Sequence, residues 1–76
     1  MELVTITSEP VELYKILKFE GLVASGGEAK LAISNGQVTV NGDVETRKRR
    51  KIVNGDIIVY GSETLKIRLK PQGFVS

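Results

Sequence analysis

Cysteine and histidine are both absent from this 76-residue chain. Without cysteine the chain can form no disulfide and no thiolate metal site, and without histidine it lacks the usual nucleophile–base pairs. A chain this short also has little room for a substrate pocket beside its core. These absences predict one domain, residues 1–76, which is not an enzyme and uses no metal or cofactor.

Long apolar runs are absent too, so no stretch is long enough to span a membrane. The opening MELVTITSEP has no basic region followed by an apolar run, as a signal peptide would have. Small secreted domains usually depend on disulfides. We therefore expect a cytoplasmic protein, and a monomer.

Aromatic residues are few: Tyr14, Phe19, Tyr60 and Phe74. The first three fall at positions expected to be core or half-buried. Recognition of bases by stacking on an aromatic sheet surface is therefore disfavoured.

Basic residues, by contrast, are concentrated. The net charge is only +2, but five of the 11 basic residues form one uninterrupted run, Arg47–Lys51. A soluble loop usually intersperses acids, and a concentrated basic patch attracts polyanions. The run is interpreted as a polyanion-binding surface, with a simple solvated loop as the alternative.

Two segments predict helices. Residues 7–10, TSEP, are typical of a helix start, and Gly21 is expected to end this first helix. Ser25 and Glu28 have the spacing of a capping box, in which the glutamate would reach back to the N–H of Ser25. The second helix is expected to end at Asn35-Gly36. The pair would form a tight helix–loop–helix.

Strand patterns dominate the second half. Val38 and Val40 alternate with polar residues, and Asn41-Gly42 is a favoured hairpin turn. Ile57–Tyr60 indicates a buried strand, and residues 65–70 alternate apolar and basic side chains. Leu3–Ile6 is expected to pair with a later strand, and the tail 71–76 to be loose. The predicted fold class is α+β, with two short helices packed on a small, twisted, mostly antiparallel sheet.

The candidate contact surface combines a helix N-terminus with lysines and the basic run. The N–H groups of Gly26 and Gly27 favour anions. The candidate residues are Lys15, Lys18, Ser25, Gly26, Gly27, Lys30, Arg47, Lys48, Arg49, Arg50 and Lys51. Taken singly, the three lysines are more often solvated helix faces, and Ser25 is first a structural cap. Asp43 and Glu45 are interpreted as a solvated hairpin surface, and Asn41 primarily as a turn residue.

Residues 21–60 carry a family resemblance. GQVTVNG at 36–42, a later GD at 55–56, the helix opening GGEAK at 26–30 and the run ETRKRRK at 45–51 resemble the S4 (S-four) RNA-binding domain. The last two look specifically like its stand-alone, single-domain bacterial members. The matching core covers about residues 10–60.

The resemblance implies an alpha-L fold that binds structured RNA, commonly ribosomal or transfer RNA. The helix–loop–helix and the hairpin form the contact surface in the family, which points to the candidate residues above. Many members have Ser-Arg where this chain has Ser25-Gly26, so one RNA-contacting arginine is missing.

The sequence thus predicts a non-enzymatic RNA-binding module. With roughly five neutralised phosphates, the logarithmic salt slope of binding would be about −3 to −5. Alanine at Arg47, Arg49 and Arg50 is expected to abolish most binding without unfolding the domain. A protein-interaction adaptor that docks an acidic protein surface is the alternative, and charge alone does not separate RNA from DNA or an anionic membrane.

Overall fold

A computed structural model describes residues 1–71; the rest of the predicted loose tail, including Phe74, lies outside the described residues. Two helices and seven strands follow one another within residues 1–71. They are β1 (Glu2–Ile6), β2 (Val11–Glu12), α1 (Leu13–Phe19), α2 (Gly26–Ser34), β3 (Val38–Val40), β4 (Asp43–Val44), β5 (Lys51–Ile52), β6 (Ile57–Tyr60) and β7 (Glu63–Leu69). No helix in this part of the chain has the length and apolar character needed to cross a membrane.

The main sheet has five strands in the order β1-β7-β6-β3-β4, and β2 and β5 form a separate two-stranded ladder. β1 runs parallel to β7, with Glu2 opposite Leu65 and Ile6 opposite Leu69. The other pairs among the described strands are antiparallel. The mostly antiparallel sheet is therefore confirmed, and so is the pairing of the leading strand with a later one.

Alternation along the strands turns one apolar face of the sheet towards the helices. In β7, Leu65 and Ile67 are buried, whereas Lys66 and Arg68 are exposed. The helices add their own apolar residues to the same core, namely Leu13, Ile16, Leu17, Ala29 and Ile33. Burial of this shared apolar surface holds the helices on the sheet, and it confirms the predicted α+β class.

The first helix begins later than the sequence pattern predicts. TSEP is not a helix start, because Val11–Glu12 first forms a short strand opposite Lys51–Ile52. Glu12 keeps an extended backbone, with φ −70° and ψ 138°, and the helix starts at Leu13. Pairing with a distant strand therefore outweighs the local signals. Gly21 follows the helix with φ 74°, as expected of a residue that ends it.

The second helix agrees more closely with its sequence signals. The Ser25 hydroxyl accepts a hydrogen bond from the Glu28 N–H at 3.1 Å, as predicted. The Glu28 carboxylate, however, accepts from the N–H of Ala24 at 2.6 Å rather than from that of Ser25. The helix ends at Ser34 and Gly36 has φ 77°, which confirms the predicted C-terminus.

The hairpin turn ties two family motifs together. Asn41 and Gly42 have φ values of 54° and 90°, as the predicted turn requires. The Asn41 side-chain N–H donates to the Asp56 carboxylate at 3.0 Å, and its oxygen accepts from the N–H of Ile57 at 2.9 Å. Asn41 therefore connects the hairpin turn to the turn before β6. Its side-chain amide is engaged in these hydrogen bonds within the protein.

One aromatic residue was placed wrongly by the sequence pattern. The Phe19 side chain is 68% exposed, although its spacing predicts a core or half-buried position. Tyr14 and Tyr60 are half-buried as expected.

Candidate nucleic-acid interface

The basic loop, Glu45–Lys51, connects β4 to β5 and is docked on the start of α1. The Arg50 carbonyl accepts from the N–H of Leu13 at 2.9 Å, and the Lys48 carbonyl accepts from the N–H of Tyr14 at 3.1 Å. The first N–H groups of a helix have no partner within the helix. The loop backbone satisfies two of these donors, so the run of cations has a defined position on the protein.

Glu45 is the first residue of this loop, and its side chain is only 5% exposed. Its two carboxylate oxygens accept from the Arg47 guanidinium at 2.9 and 3.0 Å, and one of them also accepts from Arg50 at 2.7 Å. The bonds from Arg47 lower the pKa of Glu45 to about 2, against the opposing effect of burial and with help from Arg50. The predicted solvated hairpin surface is therefore wrong for Glu45, although Asp43 is exposed.

The cations of the basic loop differ in exposure. Arg47, Lys48, Arg49 and Lys51 are exposed, whereas Arg50 is partly buried. Four of the side chains line one shallow concavity on the surface: Arg47, Arg49, Arg50 and Lys51. Several cations around one open depression form an electropositive site that a phosphate backbone can enter.

Tyr14 links α1 to the start of α2. A Cβ atom at Gly26 would lie 3.8 Å from the Tyr14 ring. The Lys30 ammonium lies 4.7 Å from the ring centroid, and the Lys15 ammonium lies 6.0 Å from it. The Lys30 distance is well within the range of cation–π attraction and the Lys15 distance is at its limit, so the ring attracts Lys30 more strongly than Lys15. Sequence reasoning placed Tyr14 in the half-core and missed this role, because the contact with Lys30 depends on how the helices pack.

The structure brings most of the predicted residues to one side of the helix pair. Lys15 and Lys51 line a common depression with Glu12, and Lys15 also forms an ion pair with Glu12 at 3.5 Å. Ser25, Gly26, Gly27 and Lys30 lie in the first turns of α2, where Gly26 and Lys30 are close to the Tyr14 ring. Lys18 lies one turn further along α1, exposed and towards the other end of that helix.

Neighbouring atoms leave room for a Cβ atom at both glycines at the start of α2. The 3.8 Å separation at Gly26 is ordinary van der Waals contact, and a Cβ at Gly27 would lie 3.9 Å from the Ser25 hydroxyl. Neither residue has a positive φ. A Cβ atom at Gly26 would therefore fit without displacing its neighbours.

Comparison with known proteins identifies the class. Residues 4–68 match the model of the S4 domain, which is most of the chain. The chain belongs to the S4 domain family, as the motifs at 26–30, 36–42 and 45–56 predict.

Two of the relatives are similarly small, and YbcJ is the first of them. YbcJ of Escherichia coli (strain K12) is 49% identical over 57 residues, which is 75% of this chain and 81% of that protein. A solution structure of YbcJ, described as having an alfaL motif involved in RNA-binding, superposes with a TM-score of 0.70 at 43% identity. The superposition covers 90% of this chain and 87% of the YbcJ chain.

Two further relatives carry other names. The "Probable ribosome maturation protein RlbA" of Bacillus subtilis (strain 168) is 34% identical over 55 residues, 72% of this chain and 78% of that protein. The tyrosine–tRNA ligase of Bordetella pertussis is 36% identical over 70 residues, which is 92% of this chain but 17% of the ligase. The similarity to the ligase therefore concerns a small part of a much larger protein.

Proposed function

We propose that this chain is an RNA-binding module that recognises structured RNA through the basic loop and the start of α2. The observation that carries the proposal is the docking of the basic loop on α1, which holds four exposed cations in a defined position. A flexible basic tail would lack such backbone bonds. Membership of the S4 domain family and the likeness to YbcJ support the same function.

Ribosomal or transfer RNA is the target class that we propose. The relatives support it, since one is named for ribosome maturation and another for charging tRNA. We propose further that residues 1–76 act as one monomeric, cytoplasmic domain and bind RNA without catalysing a reaction.

The mechanism that we propose is recognition of phosphates and shape. The exposed side chains of the basic loop are all cationic or Thr46, and aromatic stacking groups are lacking among residues 45–51. Arginine binds phosphate through two parallel N–H groups, and such contacts fix position rather than sequence. A folded RNA whose backbone follows the concavity would make several of these contacts at once.

The experiment compares two triple variants that each lose three positive charges. Lys48, Arg49 and Lys51 become Ala in one variant, which spares the two arginines bound to Glu45. Lys66, Arg68 and Lys70, the basic residues that follow one another along β7 and its end, become Ala in the matched control. RNA is crosslinked to each protein in cells and sequenced, and affinity for the recovered RNA is measured against salt concentration.

We expect the loop variant to lose the crosslinked site, with a salt slope reduced by about 2 to 3, since each phosphate contact contributes about 0.9. The β7 variant should keep the site. Equal losses in both variants would mean that bulk charge, rather than the basic loop, binds the RNA. If the parent protein recovers no more RNA than the loop variant, the proposed function is wrong, and an acidic protein partner becomes the better hypothesis.

A further inference from the structure

Glu45 is an acid placed among cations, and its carboxylate is fully engaged. One oxygen accepts from Arg47 and Arg50, at 3.0 and 2.7 Å. The other accepts from the Arg47 side chain and from the Arg47 backbone N–H, both at 2.9 Å. A carboxylate has about four lone-pair sites, so these four hydrogen bonds use its whole accepting capacity. Glu45 has no site left for an external ligand, and its bonds all fix the loop.

The bonds to Glu45 continue into the rest of the loop. The N–H of Arg50 donates to the Arg47 carbonyl at 3.2 Å and closes a turn that holds Lys48 and Arg49 at its tip. The carbonyls of Lys48 and Arg50 then bind the start of α1. The loop is therefore held both by the Glu45 carboxylate and by the start of α1.

Five adjacent cations repel one another, and without an internal anion the loop would spread its charges apart. Glu45 offsets part of that repulsion and binds two of the five side chains. Fixing the loop before RNA arrives removes an ordering cost from binding. The same acid, however, subtracts one positive charge from the surface that attracts RNA. The two effects of Glu45 on RNA affinity have opposite signs.

We propose that Glu45 is a positioning residue of the RNA-binding surface: it fixes Arg47 and Arg50 so that Lys48, Arg49 and Lys51 are presented to phosphate. The proposal rests on the proposed RNA-binding function. It predicts that removing this negative charge weakens RNA binding, against the direction that net charge alone requires.

The first test is Glu45→Gln, with Asp43→Asn as the matched control. Both variants gain one unit of positive charge in the same hairpin, but Asp43 is exposed and its carboxylate makes no bond to the loop within the described residues. Unfractionated tRNA and purified ribosomal RNA serve as probes, and circular dichroism checks that each variant is folded. We expect Glu45→Gln to bind about tenfold more weakly than the parent. Asp43→Asn should bind as tightly as the parent or more tightly.

A second variant guards against loss of folding. Arg47→Lys keeps the charge but cannot form the paired guanidinium bonds. We expect it to weaken binding, and the double variant to be no weaker than Glu45→Gln alone, because Glu45→Gln already breaks the contact between Arg47 and Glu45. In NMR spectra, the Arg47 side-chain N–H signal should be protected from exchange in the parent and unprotected in Glu45→Gln, with the amide signals of β6 and β7 unchanged.

The outcomes separate the two proposals. If the parent binds RNA and Glu45→Gln binds as tightly as Asp43→Asn, Glu45 acts only through charge and the positioning role is wrong. A parent-like affinity of Arg47→Lys would overturn that role as well. If the parent binds neither probe, the proposed function fails, and the role of Glu45 in RNA binding fails with it.

Discussion

The two helices begin in different ways, although each start lies beside basic residues. α2 is capped by its own Ser25 side chain, and its first turn is open to solvent at Gly27. α1 has no side-chain cap, and its N–H groups at Leu13 and Tyr14 bind the carbonyls of the basic loop instead. One helix start therefore holds the loop that carries the cations, while the other has its own side-chain cap and an exposed first turn.

A substitution in the β2–β5 ladder should weaken the docking of the basic loop on α1. Ile52 lies in β5 opposite Val11 and is fully buried. Ile52→Ala should lower the free energy of unfolding by about 2–5 kcal/mol, because it removes apolar contacts and leaves a cavity. It should also weaken RNA binding, since the basic loop would be less firmly held. Urea unfolding and RNA titration measure the two effects.

The neighbouring Val53 provides the control for that change, because its side chain is 39% exposed. Val53→Ala should alter the free energy of unfolding by only about 0.5 kcal/mol. Equal destabilisation by the two variants would mean that burial of Ile52 does not stabilise the β2–β5 ladder, and unchanged RNA affinity in a folded Ile52→Ala would mean that the ladder does not anchor the loop.

An added cation at the start of α2 tests whether this helix start contacts RNA. Gly26→Arg restores the arginine that many family members have, and the space beside Tyr14 accepts its Cβ atom. We expect a folded protein that binds RNA about tenfold more tightly, with a salt slope steeper by about 0.9 for one added phosphate contact.

Gly26→Ala separates this charge effect from the preference of helices for alanine over glycine. We expect it to leave RNA affinity unchanged. Weaker binding by Gly26→Ala would show instead that the bare backbone at Gly26 approaches the phosphate directly.

The two N-caps can be compared by the same truncation. Ser25→Ala should lower the free energy of unfolding by about 1 kcal/mol, because the Glu28 N–H loses its partner. Glu12→Ala should cost less, about 0.5 kcal/mol or below, since Glu12 caps nothing and its ion pair with Lys15 is partly exposed. Chemical denaturation measures both values. A larger loss of unfolding free energy from Glu12→Ala than from Ser25→Ala would contradict the conclusion that only α2 is capped by a side chain.

The last effect is confined to acid conditions. The pKa of Glu45 lies at about 2 in the folded protein, below its usual 4.5, mainly because of the bonds from Arg47. The unfolded chain therefore binds this proton more readily, so the stabilisation is complete above about 4.5 and is lost as the pH falls towards 2. Urea midpoints of the parent and of Glu45→Gln should converge over that window.

Comparing the parent with Glu45→Gln also cancels the effect of Glu20 on the pH dependence of stability, because both proteins contain Glu20. Burial and the nearby Glu2 raise the pKa of Glu20, which gives the opposite pH dependence in both proteins. A gap between the parent and Glu45→Gln that stays constant down to pH 2 would contradict the assignment for Glu45.

Local patterns predicted the elements whose geometry is decided locally. The Asn41-Gly42 turn, the alternation of β7 and the end of α2 at Gly36 all follow from residues within a few positions of one another. The start of α1 was missed because it depends on pairing with Lys51–Ile52, far away along the chain.

The candidate site divides in the same way. The run of cations was visible in the sequence, and its use in RNA binding stays a prediction. Its attachment to α1 and the burial of Glu45 were not visible, because both need the folded loop. One signal was available in the sequence: Glu45 is the only acid among residues 45–51, and it lies two residues before Arg47 and five before Arg50.

The parallel pairing of β1 with β7 has a consequence for the order in which the protein is made. β7 lies between β1 and β6 in the sheet, and Glu2 faces Leu65. Synthesis proceeds from the N-terminus, so β1 emerges from the ribosome long before its partner strand exists. The helix pair and the hairpin have contacts closer in sequence and can form earlier. The five-stranded sheet is complete only when β7, which ends at Leu69, has been synthesised.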